Sequence, residues 1–168
     1  NIMNIKKFHD LCKIINEDEK HKLASIINKH QKIIIIGNGG SNSIASHISQ
    51  DYTKKLKKTA MAFSDPSRLT CYINDYGMPN AYRQFVSEFA DKETLIILIS
   101  SSGESENIVN VAQYCKENDI AIVTLTGFKE ENALRNNFKD YSSLDVWLDS
   151  CDYGIVECLH QSYLHMVV

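Results

Sequence analysis

The chain has 168 residues, 43% of them apolar and 23% charged, which is the size and balance of one globular domain able to bury a core without metal or disulfide staples. A formal net charge of −3, with Arg68, Arg83 and Arg135 the only arginines among 18 basic residues, argues against nucleic acid or anionic membrane as a partner. Five cysteines without a CxxC pair argue against a disulfide framework or zinc knuckle, and the absence of a secretory leader or long apolar run points to a reduced, cytoplasmic protein.

The opening Asn1-Ile2-Met3 reads as a tag remnant before a native start at Met3. Residues 4–29 place Ile5, Phe8, Leu11, Cys12, Ile15, Leu23, Ile26 and Ile27 at helical spacing, predicting one long or two short amphipathic helices. The apolar run 32–36, closed by Gly37, has the pattern of a buried parallel strand. A helix over 42–56, a strand over 59–63 and a helix over 79–90 follow. Strands over 94–99, 120–125 and 144–148 then alternate with helices over 105–117 and near 130–136. A final helix starts at 153 and is expected to be truncated, because the chain stops inside an apolar periodic run. This alternation predicts an α/β fold with a mostly parallel sheet and helices on both faces. No linker or repeat divides it, so 1–168 is one domain, with helices over 1–30 and the α/β core over 31–168. Ligands in such sheets bind beyond the carboxyl ends of the strands.

Two loops at such ends stand out. After the first strand, Gly37-Asn38-Gly39-Gly40-Ser41-Asn42-Ser43 lets backbone approach a ligand, and Ser41 or Ser43 can cap the next helix. It is neither GxGxxG nor a Walker A loop, and a tight turn without ligand would use the same glycines. After the third strand, Ser100-Ser101-Ser102-Gly103-Glu104-Ser105 can cradle a phosphate without arginine. A solvated turn capped by Ser102 or Ser105 is the plainer alternative. The natural division gives one loop the phosphate and the other the sugar.

His47 and Asp51 lie four apart on the helix after the glycine loop, with Lys55 one turn further. On the last helix Glu157, Gln161 and His165 are spaced by four, and His160 lies three beyond Glu157. Imidazoles and carboxylates on two facing helices suffice for a zinc-type site, although surface hydrogen bonds would produce the same pairs. Trp147 reads as core or interface, Tyr76 and Tyr82 as cleft or core, and Lys54–Lys58 as a solvated helix end.

GNGGS after an apolar strand, Asn74-Asp75-Tyr76-Gly77, SSSGES and Leu125-Thr126-Gly127 occur in that order. Together they resemble the sugar isomerase (SIS) domain family, in its phosphoheptose isomerase branch. The resemblance implies a three-layer, doubly wound, five-stranded parallel sheet. It implies aldose–ketose isomerisation through an enediol, converting sedoheptulose 7-phosphate to a heptose 7-phosphate for surface polysaccharide. It also implies a homotetramer with sites between subunits, for which the N-terminal helices are interface material. Carried over by position, Asp51 is the general base and His165 the partner acid–base. His47, Asp51, Glu157 and His165 form the shell that holds zinc in some members. Ser100, Ser101, Ser102 and Ser105 match the phosphate loop, and Asn38, Gly39, Gly40 and Ser41 the sugar-binding turn. Asp75 matches the NDxG aspartate, and Glu157 also faces substrate. Lys55 stands where the family has arginine, Asp51 where it has Glu, and Glu157 where it has Gln; a displacement of about 1 Å at the base can cost about 100-fold in rate. Two alternatives remain open: a non-catalytic SIS protein that binds phosphosugar or a protein such as the replication initiator, and an isomerase of another phosphosugar.

Overall fold

Ile33, Ile34, Ile35 and Ile36 are all buried because β1 (Lys32–Gly37) lies inside a sheet covered on both faces. The computed structural model describes residues 2–168; Asn1, the first residue of the expected remnant, lies outside them. Five strands, β1 with β2 (Thr59–Ala62), β3 (Thr94–Ser100), β4 (Ala121–Thr126) and β5 (Leu144–Trp147), pair in the order β2-β1-β3-β4-β5. Every pairing is parallel, as the alternation predicts. Eight α-helices accompany them among the described residues, and none is long and apolar enough to cross a membrane.

Alternate residues of the strands divide between two cores. Ile33, Ile35, Leu95 and Ile97 pack with α2 (Glu17–Asn28), α3 (Gly39–Leu56) and α8 (Tyr153–His165). Ile34, Ile36, Ile96 and Leu98 pack with α5 (Met78–Phe89), α6 (Glu106–Glu117) and α7 (Ala133–Phe138). The N-terminal segment forms two helices: α1 (Ile5–Leu11) places Phe8 and Leu11 against Leu148 and Ile155, while α2 buries Leu23 and Ile27 in the main core. Much of their apolar surface is therefore used within the chain itself.

The topology fixes where a ligand can sit. β1 and β3 are neighbours, with Gly37 opposite Ile99, yet α3 leaves β1 toward one face and α6 leaves β3 toward the other. The two loops part at this switch point and leave a crevice between them. A reciprocal amide pair spans it: Asn38 and Asn107 each donate to the other's side-chain oxygen at 2.9 Å.

Two elements differ from the sequence expectation. α3 starts at Gly39, three residues before the expected 42, because Asn38 in extended conformation occupies the cap position. Ser41 and Ser43 thus lie inside the first turns and neither is the cap. α4 (Pro66–Tyr76) was not among the expected elements, although Leu69, Tyr72, Ile73 and Tyr76 fall at helical spacing and Leu69 and Tyr72 pack half-buried on the core. Its cap is a second signal: Asp65 accepts from the Arg68 amide at 2.8 Å and Pro66 opens the helix.

α8 is tied to the sheet by fully buried His160, whose Nε2 donates to the Thr126 carbonyl at 3.0 Å. Burial pushes its pKa down to about 4, against a smaller upward pull from that hydrogen bond. The unfolded chain takes up this proton near pH 6.5, whereas the folded chain resists it until about pH 4. The unfolded state binds more protons in that window, so this group's contribution to stability falls as pH drops through it, by up to about 3 kcal/mol. Urea midpoints should therefore decline from pH 7 to pH 4.5, and His160→Gln, which retains a donor, should flatten the decline. An equally steep decline in the variant would contradict the assignment.

Candidate active site

The loop after β3 is shaped by Gly103, at φ +68, where a Cβ would meet Asn132 Oδ1 at 2.1 Å. Buried Asn132 accepts from the Arg135 amide at 3.1 Å and donates to Thr126 Oγ1 at 3.2 Å, so the loop rests on a fixed partner. Ser100 Oγ accepts from the Gly103 amide at 3.1 Å, and Ser102 Oγ accepts from the Glu104 amide at 3.2 Å. Neither contact uses the hydroxyl's own proton. Ser101 Oγ is buried without a hydrogen-bond partner among the described residues. Ser100, Ser101 and Ser102 thus line one cavity beside the start of α6, with the hydroxyl protons of Ser100 and Ser102 free to donate and Ser105 at the cap position. Glu104 does not place its charge in this cradle; its Oε1 accepts from the Ala133 amide at 3.1 Å, at the start of α7.

The loop after β1 faces the same cavity of about 260 Å³ through Asn38, Gly39, Gly40 and Ser41. Gly40 leaves room for Glu157: a Cβ there would lie 2.6 Å from both of its carboxylate oxygens and would push the carboxylate aside. Glu157 thereby occupies the N-terminal turn of α3, where a carboxylate is favoured by the helix dipole. Glu157 and the hydroxyl loop line opposite parts of the same cavity, so an anion is better accommodated at its hydroxyl end.

Gly40 and Glu157 also line a second cavity of about 720 Å³, walled by α3, α8 and Ile15, which contains His165. Beside this cavity α3 and α8 bring three side chains together, of which His165 lines the cavity while His47 and Asp51 lie behind it. One carboxylate oxygen, Asp51 Oδ2, lies 3.3 Å from His47 Nε2 and 3.2 Å from His165 Nε2. The two imidazole rings are stacked, with centroids 6.1 Å apart. Asp51 is buried, while His47 and His165 are nearly half exposed. Register between the helices comes from the residue after Asp51 and the one before His165: Tyr52 donates to the Leu164 carbonyl at 2.6 Å. Burial drives the Tyr52 phenol pKa far upward, so it remains a donor.

The donor atoms of His47, Asp51 and His165 all lie within 4.8 Å of one another and could hold a metal ion. Two imidazoles and a carboxylate, partly open to solvent, match the chemistry of a catalytic divalent-metal site with free coordination positions. Glu157, expected as a fourth member, lies outside this cluster and against Gly40.

Lys55 and Asp75 are not brought to either cavity. Lys55 is exposed on the last turn of α3, and Asp75 is exposed on α4, accepting from Asn74 Nδ2 at 3.0 Å. Tyr82 is buried and donates to the Gly37 carbonyl at 2.8 Å, while Tyr76 lines a surface hollow beside α5 and α6. The sequence reading missed Tyr153, which lines the hydroxyl-loop cavity. An aromatic residue at a helix start carries no pattern that distinguishes it from core.

The SIS domain family matches residues 17–127 of the chain. A phosphoheptose isomerase of Fusobacterium nucleatum is 30% identical over an alignment 184 positions long, gaps included, covering 96% of this chain and 88% of that protein. The solved structure of phosphoheptose isomerase from Neisseria gonorrhoeae superimposes with a TM-score of 0.85 at 24% identity, covering 97% of this chain and 89% of that one. The same fold recurs at 17% identity and a TM-score of 0.68 in the Vibrio vulnificus NanR protein complexed with ManNAc-6P, covering 97% of this chain and 56% of that one.

Metal titration checks the three-residue cluster. The purified chain should bind about one equivalent of a divalent cation, and Asp51→Asn and His165→Ala should each weaken binding by at least about 100-fold. Unchanged affinity in both variants would place the metal elsewhere.

Proposed function

The chain belongs to the SIS-domain family, in its phosphoheptose isomerase branch, and from that membership we propose that it interconverts sedoheptulose 7-phosphate and D-glycero-D-manno-heptose 7-phosphate as an aldose–ketose isomerase. The observation that carries this reading is the Asp51 carboxylate set between two imidazoles, one of which, His165, lines a cavity that shares Gly40 and Glu157 with the cavity at the hydroxyl loop. Proton transfer and phosphate recognition are thus provided side by side.

In this reading the substrate phosphate accepts from the hydroxyls of Ser100, Ser101 and Ser102 and sits near Ser105. Its carbon chain runs past Gly40 and Glu157 toward His165, because these two residues line both cavities. Asp51 removes the proton from the carbon beside the carbonyl, giving an enediol, and the proton returns to the neighbouring carbon. Its Oδ2 is engaged by both imidazoles, which leaves Oδ1 as the base. His165 moves the second proton between the two substrate oxygens. Zinc is the metal proposed for His47, Asp51 and His165, with Glu157 nearby; when bound it would polarise the carbonyl. We propose the family's homotetramer as the assembly, a role for exposed Lys55 and Asp75 being open only across a contact between copies. A cytoplasmic location is proposed with it.

The second reading is a phosphosugar sensor without turnover. It is favoured by the fold shared with the NanR protein, whose structure holds ManNAc-6P. Conjunction of Asp51 with two imidazoles favours the enzyme, since binding alone has no need of a base so placed.

Purified protein supplied with zinc should convert sedoheptulose 7-phosphate. Asp51→Asn and His165→Ala should each lower kcat by about 100-fold or more. Gly40→Ala should lower kcat/KM while leaving the thermal midpoint nearly unchanged, since the group displaced is the mobile end of Glu157. Wild-type rates in Asp51→Asn, or binding without turnover by the wild type, would contradict the isomerase reading.

A further inference from the structure

Tyr153 is the first residue of α8 and 58% exposed, and it lines the cavity at the hydroxyl loop. That cavity is otherwise lined by hydroxyls, an amide, glycines and a carboxylate, with Ile99 the other apolar side chain. An aromatic ring at a polar crevice offers what those groups cannot, a flat surface for C–H bonds.

The ring is also held in place. Phe128 packs against it at a centroid distance of 4.8 Å and an interplanar angle of 65°. Phe128 does this from φ +55, a left-handed backbone conformation costly for a bulky side chain. Two hydrogen bonds hold that segment: the Gly127 amide donates to the Ser101 carbonyl, and the Phe128 amide to the Ser150 carbonyl, each at 2.8 Å. One end is thus fastened to the hydroxyl loop and the other to the segment leading into α8. Strain kept at a site bordering a cavity is characteristic of ligand-contacting positions.

We propose that Tyr153 is a specificity-determining residue, supported by Phe128, whose ring lies along the carbon chain of a phosphorylated sugar anchored at the hydroxyl loop. This rests on the phosphosugar reading above, but not on turnover. The phosphate is held by Ser100, Ser101 and Ser102, so Tyr153 discriminates a sugar phosphate from a bare phosphate ion. The ring face provides the contact, and the phenol hydroxyl is dispensable.

Calorimetric titration of the full chain with sedoheptulose 7-phosphate and, separately, with inorganic phosphate tests this. Tyr153→Ala should weaken the sugar phosphate by about 3- to 10-fold and leave inorganic phosphate unchanged. Tyr153→Phe should bind both as the wild type does. Phe128→Leu should shift sugar-phosphate affinity in the same direction as Tyr153→Ala, by less. Unchanged sugar-phosphate binding in Tyr153→Ala overturns the proposal, as does an equal loss of both ligands or a Tyr153→Phe defect as large as that of Ala. Sugar-phosphate binding by a wild type that does not isomerise it would overturn the isomerase reading alone. A wild type that binds no sugar phosphate would overturn both.

Discussion

The arrangement of the site depends on one buried carboxylate oxygen that faces two imidazoles. Asp51 reaches both only because α3 and α8 are locked in register one residue away, where Tyr52 donates to the Leu164 carbonyl. Behind that contact, α8 is tied to α2 by Tyr163, which donates to Glu19 at 2.8 Å, and to the sheet by His160. A slip of α8 along α3 would remove the His165 contact while leaving the His47 contact, which is internal to α3. Rigidity here would serve the proposed reaction, because a base displaced by about 1 Å loses much of its rate.

The second constraint is electrostatic. The switch point offers two helix starts, those of α3 and α6, that could each receive an anion. Glu157 takes the first, over a glycine that alone leaves room for it. Glu104, which could have spoiled the second, turns to the start of α7. In the proposed reading the phosphate sits at the hydroxyl end of the shared cavity, whose other end carries the Glu157 carboxylate, and the reacting carbons face Asp51. The Asn38–Asn107 pair keeps the two loops at a fixed separation.

Much of this was legible in the sequence for a physical reason. Strands buried on both faces, such as Ile33–Ile36, must be continuous apolar runs, and i,i+4 spacing alone put His47 and Asp51 on one face. What was not legible depends on contacts between distant segments. Spacing cannot say that His165 meets Asp51 across 114 positions, or that Glu157 turns to Gly40 and leaves the His47 cluster to three members. α4 was legible too, since Leu69, Tyr72, Ile73 and Tyr76 form an apolar stripe behind the Asp65 cap and Pro66, but none of its members is fully buried. Lys55 and Asp75 matched a family pattern by position, yet the fold exposes them away from both cavities of the chain.

The central claim is that the Asp51 carboxylate moves a proton on and off substrate carbon. Isomerisation of sedoheptulose 7-phosphate in deuterium oxide, followed by proton NMR, tests it most directly. Proton transfer through an enediol predicts deuterium at C2 of the aldose and C1 of the ketose, with exchange abolished in Asp51→Asn. Isomerisation without any deuterium uptake, or uptake that persists in Asp51→Asn, would contradict it.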